Sequence, residues 1–317
     1  MRFLRKTDEV RNRLIQDRFD ALTTIVHTAN QESADFLVLA GDLFDTIQVG
    51  VQDTIVPTVN ILSTFQGEAV LVLPGNHDFY EAKQACEAVS AIFRAGIVPS
   101  ALEFMERDAI DWTLKFIHDL NVQVKDEVQA HLLIEVDGNY PDVLFAEAEK
   151  IMGVVEQFSI DEVLFADTED QKNALWKMRR SVAEAVKANS IYKEEDTVVP
   201  RYELPTLLEG IKRIGNTYGF KSVCYGHAGD GNLHVNIIKG EMSDENWNTE
   251  VTKGIREIFE LTVSLKGTLS GEHGIGYVQK NYMDIAFPAV QLELMRNIKK
   301  VFDPNGILNP GKIFPDC

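Results

Sequence analysis

Cysteine is scarce in this chain of 317 residues, and its three cysteines, Cys86, Cys224 and Cys317, lie far apart in the sequence. An odd number at such spacing provides neither a disulfide framework nor the paired Cys-x-x-Cys ligands of a zinc knuckle. We therefore expect free thiols and a reducing, cytoplasmic setting. The charged amino-terminal stretch MRFLRKTDEVRNRL also has no apolar core of the kind that a secretory signal peptide contains.

Long apolar runs and an excess of positive charge are missing as well. No run approaches the roughly 20 apolar residues that a bilayer-spanning helix needs, so no membrane span is predicted. There are 31 lysines and arginines against 49 aspartates and glutamates, which gives a net charge of −18. Because a nucleic-acid backbone is bound by basic surfaces, no nucleic-acid partner is expected. The composition, 45% hydrophobic and 25% charged, predicts a globular protein with room for two domains.

Hydrophobic periodicity divides the chain into two parts. Residues 9–30 show helical spacing, and the apolar stretches DFLVLAGD and AVLVLPGNHD predict two strands on either side of a helix over 51–65. This order predicts a parallel βαβ-type unit within residues 1–80. Residues 81–317 predict an α+β sandwich, in which helices cover a largely antiparallel sheet. The patterns there predict helices over 81–96, 140–158 and 169–189 and strands over 130–138 and 161–167, with no strand predicted over 99–120.

The first candidate site lies at the ends of the two amino-terminal strands, with Asp42 after one and Asn76 and His77 after the other. Carboxylate, amide and imidazole groups at neighbouring strand ends can hold two divalent cations about 4 Å apart for phosphate hydrolysis. The stretches LVLAGDLFD and VLVLPGNHD resemble two motifs of the calcineurin-like metallophosphoesterases, closest to the DNA-repair exonuclease branch. The family's first Asp-x-His motif and its later Gly-His-x-His turn are not found in the sequence. We therefore expect an incomplete phosphoesterase fragment with a vestigial site.

The second candidate site begins in KSVCYGHAGDGNLHVNIIK, residues 221–239. Three glycines within six residues disfavour a helix, so the pattern predicts strand, turn and strand. Side-chain alternation puts His234 and Asn236 on one face, and a hairpin closed through AGDGN is expected to bring His227 opposite His234. Two imidazoles and one carboxylate would form a metal site with a position open for substrate.

The stretch GTLSGEHGIG can supply that carboxylate through Glu272. In extended backbone, neighbouring side chains point in opposite directions, so Glu272 and His273 are expected to have different roles. One can bind a metal and the other can act as a base. Histidine is the side chain that exchanges a proton near neutral pH, which suits His273 to the role of base. The alternative is a hairpin and a Gly-rich connection whose histidines have only structural roles.

Residues from about 82 to the end resemble the C-terminal domain of the FAD-linked oxidases. That family includes the glycolate oxidase flavoprotein subunit and the D-lactate and D-2-hydroxyglutarate dehydrogenases. The similarity is found in AGIVPSALEFMERDAI, LWKMRRSV, YKEEDTVVPRYELP, both Gly-rich motifs and VFDPNGILNPGKIF. It implies FAD and a divalent metal, zinc or manganese, as cofactors. The implied roles are metal binding by His227, His234 and Glu272, proton abstraction by His273, substrate binding by Arg179, Lys193 and Asn236, and flavin contact by Asn309.

The resemblance places the flavin mainly in an amino-terminal domain that this sequence does not contain. The first functional hypothesis is therefore an oxidoreductase component that oxidises a D-2-hydroxy acid such as glycolate, D-lactate or D-2-hydroxyglutarate. It would need a flavin-domain or electron-acceptor protein as its partner. The second is a catalytically incomplete fusion protein that binds a metal and a 2-hydroxy acid. The third, and least favoured, is a metallophosphoesterase.

Overall fold

The computed structural model of the chain describes residues 8–33 and, apart from gaps at 119–121, 123, 165 and 167–168, residues 81–316. Between residues 34 and 80 it describes 36–38, 48–49, 60–61, 63–64, 66, 69–71 and 76–79. Asp42 lies outside the described residues, and so does most of the helix predicted over 51–65. Within this part of the chain, no helix is both long enough and apolar enough to cross a lipid bilayer.

The α-helices, labelled in chain order, are α1 Asp8–Gln31, α2 Ala82–Arg94, α3 Arg107–Phe116, α4 Pro141–Val155, α5 Glu169–Arg180, α6 Val182–Asn189, α7 Leu204–Tyr218, α8 Asp244–Ser264, α9 Met283–Ala286 and α10 Ala289–Phe302. The strands are β1 Phe36–Val38, β2 Gln48–Val49, β3 Ala69–Leu71, β4 Asn76–Phe79, β5 Ala101–Glu106, β6 Ala130–Glu135, β7 Ile160–Leu164, β8 Tyr192–Val198, β9 Lys221–Gly226 and β10 Asn232–Ile238. The helix predicted over 9–30 is confirmed as α1. The helix predicted over 169–189 is two helices, α5 and α6, that meet at Ser181.

Eight strands form one sheet in the order β2-β7-β4-β6-β5-β9-β10-β8. Every neighbouring pair in it is antiparallel, which confirms the predicted α+β fold. The short strands β1 and β3 pair in parallel, as expected for the amino-terminal unit. Strand β5, over which no strand is predicted, lies at the middle of the large sheet and joins its two halves.

Strand β4 differs most from the sequence prediction. The sequence predicts that Asn76 and His77 form a polar turn after a parallel strand. Instead, their backbone belongs to an antiparallel strand, in which His77 pairs with Leu132 of β6 and with Val163 of β7. The strand fills the position between β6 and β7, whose facing edges would otherwise lack backbone partners. The large sheet therefore includes residues ahead of the predicted boundary at 80/81. The vestigial phosphoesterase site stays a prediction, because Asp42 lies outside the described residues.

Helices cover both faces of the large sheet. On one face, α2, α7 and α8 bury side chains such as Ile92, Leu207 and Phe259. The other face packs α3, α5 and α6 through a second cluster that includes Ile110 and Met178. The expected free thiols are confirmed for Cys86 and Cys224, which are buried and unpaired.

Helix α8 shows how the local sequence produces this packing. The hydroxyl group of Ser243 accepts a hydrogen bond from the Asn246 amide at 3.2 Å and so caps the first turn. Trp247, Val251 and Ile255 recur at four-residue spacing and are all buried. One apolar stripe therefore faces the sheet, as amphipathic helices require.

Candidate metal and substrate site

The hairpin β9–β10 forms as predicted, but its register differs from the prediction. Tyr225, and not His227, pairs with His234, because β9 ends at Gly226 and His227 leads into a 3-10 turn over Ala228–Asp230. Gly231 closes this turn at φ +76°, where a Cβ atom would lie 2.0 Å from the Val199 carbonyl oxygen. The two imidazoles still meet, with ring centroids 5.7 Å apart.

Glu272 reaches both histidines from the loop that follows α8. Its Oε1 lies 3.5 Å from Nε2 of His227 and 3.3 Å from Nε2 of His234. The three ligand atoms of this group all lie within 4.8 Å of one another. Imidazole nitrogen and carboxylate oxygen are ligands that suit zinc, and carboxylate oxygen also suits manganese. The three predicted metal ligands thus come together, and their donor set fits a divalent cation.

Asp196, a residue that the sequence did not suggest, holds this loop against the sheet. Its Oδ2 accepts the backbone N–H groups of Glu272 and His273, each at 2.8 Å, and the Ser270 hydroxyl at 2.9 Å. Because both amides bond to one oxygen, the backbone curls here and is not extended. Glu272 and His273 therefore do not point apart as predicted. The His273 ring stacks on His234 at a centroid distance of 5.0 Å, and its Nε2 lies 3.8 Å from Glu272 Oε1.

Gly271 makes the close approach of this loop possible. A Cβ atom on Gly271 would lie 2.2 Å from Nδ2 of Asn232 and 3.1 Å from Oδ1 of Asp196. The same Nδ2 donates to Asp196 at 2.6 Å. A larger residue at position 271 would therefore push the loop away from the carboxylate that anchors it.

Glu103 of β5 is a second site residue that the sequence did not suggest. Its Oε1 lies 2.8 Å from Nδ1 of His227. Its Oε2 accepts a hydrogen bond from Nε of Arg179 at 2.9 Å and forms an ion pair with Nη2 of Arg179 at 2.8 Å. Burial raises the pKa of Glu103, but the hydrogen bond from His227 and the charge of Arg179 outweigh it and lower the pKa overall. The hydrogen bond with Glu103 in turn raises the pKa of His227 above its ordinary value.

His234 is the most buried member of the metal-ligand group, with 6% of its side chain exposed. Burial and the nearby charge of His273 lower the pKa of His234 to about 4. The imidazole is therefore neutral at neutral pH, and one ring nitrogen has a lone pair available for a cation. Asn236 lies two residues along on the same face and is also buried, and its Nδ2 donates to the Val223 carbonyl at 3.5 Å.

Strand β8 presents Glu194, and not Lys193, to the site. Glu194 pairs with Asn236 and Asp196 pairs with His234, so both share a face with the histidines. Lys193 lies on the opposite face, where its Nζ donates to the Trp247 carbonyl at 3.0 Å and lies 4.8 Å from the centre of the Trp247 ring. Strand alternation thus directs the Lys193 side chain away from the histidines, so the structure does not bring Lys193 together with the other predicted site residues.

The remaining predicted residues differ in their placement. Arg179 lies inside the site region: it is buried, it bonds to Glu103, and its guanidinium carbon lies 5.2 Å from the Tyr225 ring centre. Asn309 lies exposed in the segment after α10 with a left-handed φ of +46°. In the described part of the chain no hydrogen bond joins Asn309 to the histidines, so its contact with a flavin stays a prediction.

Comparison with known proteins places the chain in a family. A sequence model of the family described as "FAD linked oxidases, C-terminal domain" matches residues 75–313. The chain belongs to the FAD-linked oxidases. The match to this family begins at residue 75, just before β4, which agrees with the position of that strand inside the large sheet.

Two curated members of the FAD-linked oxidase family are similar over most of the chain. The D-lactate dehydrogenase of Anaerostipes hadrus is 33% identical over 262 residues, which cover 81% of this chain and 54% of that protein. The glycolate oxidase subunit GlcD of Bacillus subtilis (strain 168) is 34% identical over 234 residues, which cover 73% of this chain and 48% of that protein. The chain thus spans about half the length of these relatives.

A solved structure shows the same fold. The 4-ethylphenol oxidase from Gulosibacter chungangensis, in complex with isoeugenol, matches with a TM-score of 0.54 and 15% sequence identity. The match covers 76% of this FAD-linked oxidase chain and 54% of that one. At such low identity the comparison establishes a shared fold and nothing about substrate.

Proposed function

We propose that this chain is the metal- and substrate-binding part of an FAD-linked dehydrogenase that oxidises a D-2-hydroxy acid of the glycolate, D-lactate or D-2-hydroxyglutarate class. The observation that supports this most is the convergence of His227, His234 and Glu272 within 4.8 Å, beside a histidine and a buried arginine. The names of the similar proteins, a D-lactate dehydrogenase and a glycolate oxidase subunit, support the substrate class.

Each group in the site has a role in this proposal. Arg179 binds the substrate carboxylate through the guanidinium N–H groups that Glu103 does not use. His273, half-exposed beside the ligand group, accepts the proton of the substrate hydroxyl group. Asn236 lines the same face and orients the substrate. A divalent cation held by the three ligands would polarise the hydroxyl group, and FAD would supply the redox chemistry.

A partner that holds the flavin is part of the proposal. The chain spans about half the length of its relatives, and α10 with the segment after it has a broad apolar surface. We call this the C-terminal apolar surface; its members are 53–78% exposed and comprise Val290, Leu294, Ile298, Phe302 and Ile307. Exposed apolar patches of this kind are typical of protein interfaces. A flavin-binding domain is therefore the proposed occupant of this surface.

Binding of metal and substrate tests the proposal on the chain itself. Titration of the purified, metal-depleted chain with Zn²⁺ or Mn²⁺ in a calorimeter is expected to show one site, which His234→Ala abolishes. The metal-loaded chain is then expected to bind D-lactate but not propionate, the matched acid that lacks the 2-hydroxyl group. Failure of the chain to bind either metal would contradict the proposal.

A second measurement separates the dehydrogenase from the two alternatives. Dye reduction with D-lactate, glycolate or D-2-hydroxyglutarate, in the presence of FAD, is expected only when a flavin-binding domain is also present to hold the FAD. If the chain binds the metal and the acid but reduces no dye even with a flavin-binding domain present, the result would support the second hypothesis, a catalytically incomplete protein that binds a metal and a 2-hydroxy acid. Manganese-dependent cleavage of a phosphodiester that Asp42→Ala abolishes would support the phosphoesterase.

A further inference from the structure

His234 lies between two carboxylates, one facing each of its ring nitrogens. Nε2 lies 3.3 Å from Glu272 Oε1, on the side where His227 completes the ligand group. Nδ1 lies 3.8 Å from Oε1 of Glu194, on the adjacent strand β8. Nδ1 is fully buried and has no hydrogen-bond partner among the residues that the structure describes.

A buried ring nitrogen without a partner matters once the other nitrogen binds a cation. If Nε2 is the ligand atom, the proton of the neutral imidazole must sit on Nδ1. A buried N–H group without an acceptor costs about 1–3 kcal/mol, and histidines that bind metals nearly always donate this N–H to a carboxylate, a carbonyl or water. The site therefore requires an acceptor on the Nδ1 side of His234.

Two acidic residues of β8 are close enough to be considered. Asp196 pairs directly with His234, but its two oxygens already accept hydrogen bonds from Asn232, Ser270 and the two loop amides. Glu194 is not committed in this way, because the only hydrogen bond described for its side chain is a long one of 3.5 Å from the Tyr225 hydroxyl. A small rotation of the Glu194 side chain would bring its oxygen from 3.8 Å to hydrogen-bonding distance of Nδ1.

We propose that Glu194 is a positioning residue: it accepts the Nδ1–H of His234 and so fixes the tautomer whose Nε2 binds the metal. The inference rests on the proposed metal site. The competing arrangement is a second cation, because Glu194, His234 and His273 also offer ligand atoms within 4.8 Å of one another. In that arrangement Nδ1 would be a ligand atom and would have no proton.

Zinc affinity and stoichiometry test the proposal with three variants. Glu194→Ala removes the acceptor and is expected to weaken zinc binding about 10- to 100-fold. Glu194→Gln retains a carbonyl acceptor and is expected to restore most of that affinity. Glu195→Gln is the matched control, since Glu195 lies one residue along on the opposite face and bonds to Gln279 at 3.2 Å. Burial raises the pKa of Glu195 to about 8, so glutamine resembles its neutral form.

The protonation of His234 provides a readout that a merely structural role would not change. In long-range ¹H–¹⁵N NMR spectra of the zinc-loaded wild-type chain, His234 is expected to have its proton on Nδ1 and zinc on Nε2. The spectrum of the wild-type chain answers this question even if Glu194→Ala does not fold. A proton on Nε2 of His234 would overturn the inference.

The possible outcomes separate this inference from the proposed function. No zinc binding by the wild-type chain would refute the proposed metal site. One zinc per chain with unchanged affinity in Glu194→Ala would refute the role of Glu194 alone. Two zinc ions per chain, one of which Glu194→Ala removes, would show that Glu194 is a ligand and would also overturn the inference.

Discussion

Replacement of Asp196 is expected to loosen the loop that presents Glu272 and His273. The Asp196 carboxylate accepts four hydrogen bonds, two from side chains and two from loop amides. A hydrogen bond to a charged group contributes about 1.5–3 kcal/mol. The loop amides can bond to water instead, because the side chains of Glu272 and His273 are about half exposed. The hydrogen bonds from Asn232 and Ser270 are lost without replacement. Asp196→Ala is therefore expected to lower the free energy of unfolding by about 3–6 kcal/mol.

Asp196→Asn isolates the contribution of the charge. The amide keeps one oxygen acceptor, so its cost is expected to be smaller than that of alanine. Burial raises the pKa of Asp196, but the amides of His273 and Glu272 outweigh it and lower the pKa below 3.8 overall. The carboxylate thus contributes stability above about pH 3.8, and this contribution is lost as the pH falls through the folded-state value.

Urea unfolding of both variants between pH 3 and 7 measures these effects. The difference in unfolding free energy between the wild type and Asp196→Asn is expected to be constant above about pH 5 and to become smaller in more acidic solution. Zinc affinity is expected to fall in parallel, because the loop holds one of the three ligands. Asp230→Asn is the control, since Asp230 is exposed in the nearby hairpin turn. Unchanged stability and zinc affinity in Asp196→Asn would refute the anchoring role of this residue.

Three further predictions concern the sheet around the histidines. Glu103→Ala leaves Arg179 buried without its partner and is expected to cost about 3–5 kcal/mol in urea unfolding; a loss below 1 kcal/mol would contradict this. Lys193→Gln is expected to leave the affinity for D-lactate unchanged in calorimetry, because Lys193 faces Trp247. A clear loss of affinity would show that Lys193 contributes to substrate binding. The pKa of His234 is about 6.5 in the unfolded chain, and burial lowers it to about 4 in the folded chain. Stability should therefore fall by up to about 3 kcal/mol from pH 6.5 to 4, and His234→Gln should remove this dependence.

The hairpin and the Gly-rich loop could be predicted because their signals are local. Closely spaced glycines disfavour a helix, and alternation then assigns His234 and Asn236 to one face. The predicted pairing of His227 with His234 was wrong, because β9 ends at Gly226 and His227 already leads into the 3-10 turn. Only three-dimensional packing reveals that the curled loop turns Glu272 and His273 towards the same imidazole ring, that of His234.

Residues that act through long-range pairing could not be found from the sequence. Glu103 lies in β5, whose sequence ALEFME runs directly into α3 without a turn residue between them. A glutamate in such a stretch resembles an exposed helical residue, yet it is buried in the middle of the sheet. The resemblance assigned a role to Lys193 and none to Glu194, and only the pairing of β8 with β10 shows which of the two faces the histidines.

The position of β5 between the two halves of the sheet has a consequence for folding. Glu103 and His227 are separated by 124 residues in the chain. Contacts at such sequence separation form late, because the entropy of a long loop is lost before the contacts compensate for it. The metal ligand His227 therefore gains its hydrogen-bond partner Glu103 only after the two halves of the sheet join. A bound cation is then expected to slow unfolding and leave the folding rate unchanged, which stopped-flow kinetics with and without zinc can measure.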